Sequence, residues 1–174
     1  MIIKGTNRFV IVYGRWVIKI PIIMLLKSAR RYQKLLVKVG FVKSLKFFSY
    51  GINAFHGFQY NIFKGIVDNW SEYRFFKKTN IKILLPCVFS FFGIFNLCYF
   101  ASPLNEENEK KDFAYFFYQI MGNDFYFDSH HFSNVNNFGI YQGKICILDY
   151  GDKATQKLLL EYGDEISKAF RWSN

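Results

Sequence analysis

The stretch "NFGIYQGKICILDYG", residues 137–151, decides how this chain is read. Ile140 and Tyr141 precede Gln142-Gly143 and Lys144 to Leu148 follow, which predicts a β-hairpin turning on the glycine. The second strand runs into Asp149, Tyr150 and Gly151. Such an ending either closes an ordinary buried strand in a turn or delivers a carboxylate to a metal–phosphate site. Asn137 has the same two readings: a turn residue ahead of Gly139, or an amide oxygen.

Working outward, the chain has 174 residues, 51% apolar and 21% aromatic, enough to build a core in one domain or two very small lobes. Net charge is +10, unevenly spread. The first 67 residues carry twelve Lys or Arg and no acid; the rest carry eleven against thirteen acids. The basic half suits phosphate, nucleic acid or an anionic membrane, or is simply a solvated face. Cys87, Cys98 and Cys146 lie in apolar runs without zinc-type spacing, which predicts reduced thiols and a cytoplasmic setting. The start, "MIIKGTNRFV", turns polar too soon for a secretory signal.

Residues 83–104 are 22 residues without charge and meet the length of a membrane span. Pro86, Asn96 and the turn-like "FFGIFN" favour two buried strands instead. "FVIVYGRWVIKIP", residues 9–21, reads as a hairpin, Phe9 to Tyr13 and Trp16 to Ile20, with Gly14 supplying a positive φ. Residues 22–39 predict a helix with an apolar stripe (Leu25, Ala29, Tyr32, Leu36, Val39) and a basic one (Lys27, Arg31, Lys34, Lys38), stopped by Gly40. Residues 49–65 give no clean period. "NWSEYRFFKKTN", from Asn69, reads as a short helix bearing Glu72. After the charged "NEENEKK", a helix is expected from about Asp112 to Met121, then a polar and aromatic loop, the hairpin, and a last helix from about Ala154 to Phe170.

The order of these pieces resembles the protein-kinase-like fold, in particular its minimal bacterial and phage-type members. The segment quoted at the outset is similar to their N-x-G-x3-G-x4-I-D-Y-G pattern, with Leu148 before the aspartate. The resemblance covers most of the chain through short motifs. It implies an α+β fold: an N-lobe, residues 1–102, with a small antiparallel sheet, a basic helical insert at about 22–65 and a helix bearing Glu72. A truncated, mainly helical C-lobe would span 103–174. It implies ATP and Mg2+ as cofactors. Phosphoryl transfer needs positive charge on the phosphates and a divalent cation held by hard oxygen ligands. Asp149 and Asn137 are then the metal ligands, Lys19 holds the phosphates, and Glu72 orients Lys19. Gly151 lets the chain turn sharply, and Gly5, in "KGTN", belongs to a phosphate-covering loop.

The general base departs from the family pattern. Its aspartate belongs five residues before the metal-binding asparagine, but counting back from Asn137 meets Phe132, and from Asn136 meets His131. Three alternatives stand: Asp128 with an inserted loop and Asn134 as the asparagine, His131 (or its neighbour His130), or no base, which would make the chain a pseudokinase. Only 23 residues follow Gly151, too few for a peptide-docking platform. The acceptor is then small, or an acidic or phosphorylated protein or glycolipid of lipopolysaccharide type, and the basic segment 27–46 is a candidate for contact with a membrane surface. A nucleic-acid partner is disfavoured, because no helix-turn-helix, finger or single-strand-binding signature is visible.

Overall fold

The computed structural model describes residues 1–5, 8–23, 25–41, 58–104 and 113–171. Thr6 and Asn7 of "KGTN", most of the segment 49–65 and the end of the basic segment 27–46 lie outside the described residues. The fold is α+β, with two small antiparallel sheets and several helices.

Five strands make the first sheet: β1 (Ile2–Lys4), β2 (Arg8–Tyr13), β3 (Trp16–Pro21), β4 (Cys87–Phe91) and β5 (Phe95–Tyr99), ordered β1-β2-β3-β5-β4. The β2–β3 hairpin pairs Tyr13 with Trp16 and turns at Gly14, φ 57°, as the sequence predicts. Alternation then sorts the side chains. Arg8, Val10, Val12, Val17 and Lys19 share one face with Asn96 and Cys98, while Phe9, Ile11, Ile18 and Ile20 take the other. The uncharged run 83–104 supplies β4 and β5, and no helix among the described residues is long and apolar enough to cross a membrane.

Helix α1 (Leu25–Val39) ends at Gly40, φ 78°, whose N–H donates to Leu36 O at 3.1 Å. Helix α2 (Phe58–Lys78) is 21 residues long and packs on the inner face of the sheet against β3, β4 and β5. It begins well before the short helix expected from Asn69. Its buried stripe runs Ile62, Gly65, Asp68, Asn69, Glu72 and Phe75, so polar residues occupy core-facing positions and blur the hydrophobic period.

The second sheet is β6 (Ser102–Pro103), β7 (Phe138–Tyr141) and β8 (Lys144–Ile147), ordered β6-β7-β8. The expected lobe boundary at 102/103 therefore falls inside a strand that pairs with β7. Gln142 and Gly143 turn the β7–β8 hairpin at φ 52° and 74°. Backbone bonds from Leu85 N to Ile147 O (2.9 Å) and Ile147 N to Ile83 O (2.8 Å) tie this sheet to the stretch that leads into β4.

Helix α3 (Phe113–Met121), a 3-10 turn (Gly122–Phe127), the short α4 (Ser129–Phe132) and a second 3-10 turn (Val135–Asn137) lead into β7. The last helix, α5 (Lys153–Ala169), is capped by Asp152, whose Oδ1 accepts from Ala154 N at 2.9 Å. The larger core joins Phe113 and Phe117 of α3 to Phe132, Phe138, Leu158, Leu159 and Ile166; the Phe113 and Phe138 rings stack at 4.8 Å. A smaller core beneath the first sheet holds Val17, Leu85 and Ala101 with all three cysteines, which are free and buried.

Candidate functional site

The inner face of the first sheet, α2 and the end of β8 meet at one point. Lys19 Nζ donates to Glu72 Oε1 at 2.5 Å and to the carbonyl of Leu148 at 2.7 Å, beside Asp149. Lys19 is thus brought to the backbone beside Asp149, 130 positions away in sequence. Desolvation works to lower the lysine's pKa, but Glu72, Cys98 and Asp149 together outweigh it, so Lys19 stays charged with its pKa raised.

Sequence reasoning missed the centre of the site. Arg8 opens β2 and is buried beside Lys19's strand partner Val10. Its Nη1 donates to Glu72 Oε2 at 2.6 Å and to Asn69 Oδ1 at 3.1 Å, and its Nη2 donates to Asp149 Oδ1. One guanidinium therefore joins the helix carboxylate to the strand-end carboxylate. The hairpin register contained the signal. With Gly14-Arg15 as the turn, residues 8, 10 and 19 must share a face, and a cation there cannot be buried without partners.

Asn69 secures the frame. Its Nδ2 donates to Lys19 O and Gly93 O, both at 3.1 Å, and its own carbonyl accepts from Asn96 Nδ2 at 2.7 Å. Gly93 is needed at that contact, since its φ is 76° and a Cβ there would lie 2.2 Å from Ile66 O. Gly151 is needed for a reason other than the expected sharp turn. It has no positive φ, but a Cβ would lie 2.6 Å from Asp68 O, so the chain after Asp149 passes directly over α2.

Asp149 keeps 42% of its side chain exposed, so this end of the ion-pair chain opens to solvent while Glu72, at 1%, is sealed. Desolvation works to raise the Asp149 carboxyl. Arg8, then Lys19 and His131, outweigh it and hold it well below the usual carboxylate range. Asn137 lies alongside: its carbonyl accepts from Leu148 N at 2.8 Å, and its Nδ2 donates to His131 O at 2.9 Å. The committed Nδ2 leaves the amide oxygen as the group with acceptor capacity. Asp149 and Asn137 are hard oxygen donors of the kind Mg2+ takes, and that cation needs only one or two protein ligands when phosphates supply the others. The donor set fits. A second grouping fits poorly: Glu72, Cys87 and Cys98 bring ligand atoms within 4.8 Å of one another, but the glutamate oxygens are already engaged by Lys19 and Arg8.

The base candidates sit apart from the solvent-facing end. His131 is buried, and its Nε2 contacts the backbone oxygen of Asp149, where it steadies the end of β8. Asp128 is 2% exposed. It accepts from Thr155 Oγ1 of α5, and its Oδ1 lies 3.3 Å from Nδ1 of the exposed His130. Burial raises its pKa, partly offset by Thr155 and the two histidines. Gly5 donates its N–H to the backbone oxygen of Arg8 at 2.8 Å. Lys19, Glu72, Asp149 and Asn137 thus assemble, with His131 behind Asp149, while Asp128 braces the loop from one layer further in.

Comparison of the chain with protein-family models, with curated proteins and with solved structures returned no match.

Proposed function

We propose that this cluster is a kinase-like nucleotide site and that the protein is a phosphotransferase using ATP and a divalent cation. One observation carries the reading. Lys19, paired to Glu72 of the helix behind it, projects onto the backbone beside Asp149, the residue that ends the β7–β8 hairpin. A buried lysine held by a glutamate at a strand end that carries an aspartate, with an asparagine bonded to the same strand, has the parts that phosphoryl transfer uses: charge for the phosphates and oxygen donors for a metal. A bound divalent cation would neutralise phosphate charge there. Lys19 would hold phosphate oxygens, Glu72 would keep the ammonium aimed, and Asp149 and Asn137 would be the ligands. The basic character of the first 67 residues favours an acidic or phosphorylated acceptor, a protein or a glycolipid.

A second reading, a pseudokinase that binds nucleotide or a partner without transfer, is favoured by the placement of Asp128. Its carboxylate is spent on Thr155 and His130, which leaves no carboxylate among the described residues poised as a base. Loss of a general base typically costs 10²- to 10⁴-fold in rate, so slow transfer is the expectation under the first reading.

Thermal shift with ADP and Mg2+, together with incorporation of the γ-phosphate, separates the two. Stabilisation by nucleotide plus metal that disappears in Asp149→Ala, with slow transfer, supports the phosphotransferase; stabilisation without transfer supports the second reading. No stabilisation by any nucleotide removes the phosphotransferase and the nucleotide-binding form of the second reading.

A further inference from the structure

We propose that Arg8 couples metal binding to phosphate binding by changing partners: it holds Asp149 while the site is free of nucleotide and turns to phosphate oxygens when nucleotide arrives. The inference rests on the nucleotide reading above and adds a residue and a form of regulation that the sequence motifs do not supply.

The guanidinium is divided between two tasks. Nη1 is anchored on the sealed side by Glu72 Oε2 at 2.6 Å and Asn69 Oδ1 at 3.1 Å. Nη2 reaches Asp149 on the open side, where the aspartate is 42% exposed. A change of partner therefore needs the planar guanidinium to swing about its anchored Nη1, carrying Nη2 away from Asp149. Phosphate suits the fork of an arginine as well as a carboxylate does.

The charge count gives the coupling its sign. Arg8 and Lys19 together balance Glu72 and Asp149, so the resting site is neutral. Asp149 already holds a cation, so it draws a divalent ion weakly, with the guanidinium repelling it at close range. Arg8 in turn has no reason to leave Asp149 unless another anion accepts its Nη2. Phosphate and metal together meet both conditions at once, and each favours the other by the same factor.

The test titrates Mn2+, read by electron paramagnetic resonance as free ion, with and without ADP, on wild type, Arg8→Gln and Arg8→Lys. In wild type, Mn2+ alone binds weakly, and ADP tightens it roughly tenfold or more, within the usual span of site–site coupling. In Arg8→Gln, Mn2+ alone binds roughly tenfold tighter than in wild type, and the effect of ADP shrinks toward none. Arg8→Lys, whose single ammonium cannot grip Glu72 and Asp149 with two separate prongs, moves in the same direction and serves if the glutamine variant does not fold. Metal-alone binding that is unchanged or weaker in the arginine variants overturns the coupling while leaving the nucleotide site intact. Failure of wild type to bind Mn2+ and ADP together removes the nucleotide reading itself.

Discussion

Replacing Glu72 by leucine tests the ion-pair centre most directly. Glu72 is fully buried, and each carboxylate oxygen takes one cation, Lys19 at 2.5 Å and Arg8 at 2.6 Å. Leucine leaves Lys19 with only the Leu148 carbonyl, and Arg8 with Asn69 and Asp149. Removing one member of a buried pair costs about 3–5 kcal/mol, because the remaining charge loses its compensation. Two cations are affected here, so the upper part of that range is expected. At about 2–4 °C per kcal/mol for a chain of this size, the melting temperature falls by roughly 10–20 °C. Urea unfolding of wild type, Glu72→Leu, Lys19→Met and the double variant measures it as a double-mutant cycle. The double variant should lose less than the two single losses added together, since an apolar pair replaces an ion pair that is costly to desolvate. A loss below about 1 kcal/mol in Glu72→Leu, the level of an exposed salt bridge, would refute the buried, shared carboxylate.

Other expectations follow from neighbouring groups. Asp149 is held below the carboxylate range when folded, so its contribution to stability is present above its unfolded value of about 3.9 and fades as pH falls through that value and below. Asp149→Asn should therefore flatten the acid limb of a stability–pH curve between about pH 5 and 2, and an unchanged limb would contradict the Arg8 pairing. Gly151→Ala should destabilise by about 1–3 kcal/mol, because its Cβ would press to 2.6 Å on the Asp68 carbonyl; calorimetry showing no loss would mean that the chain does not pass so close to α2. The three cysteines should resist Ellman's reagent in the native protein and all react in denaturant. Burial pushes the Cys146 thiol up to about 12, and the hydrogen bond with Cys98, followed by burial, raises Cys87 further. A thiol that reacts at once would place it outside the core.

Much of the fold was legible because it rests on local rules. Gly14 and Gly143 mark hairpins whose registers follow from turn geometry, and the apolar run 83–104 broke into strands where "FFGIFN" suggested a turn. What escaped was the polar interior. Asp68, Asn69 and Glu72 sit on the buried stripe of α2, so apolar periodicity finds the helix only from Asn69 and misses its earlier turns. Arg8 escaped because a basic residue opening a strand is normally solvated, and only its long-range partners at positions 69, 72 and 149 bury it. Asp128 was legible as an acid but not as an inward-facing one, since Thr155, its partner, lies on another helix.

Asn69 has a mechanical consequence. By gripping the backbone of β3 and of the β4–β5 turn, and being gripped in turn by Asn96, it stitches α2 to the sheet as one rigid block. A swing of that helix would have to unpick the stitches before it disturbed Lys19 and Glu72. Any parting between Arg8 and Asp149 or between Lys19 and Leu148 would thus leave the lysine–glutamate clasp riding along unbroken.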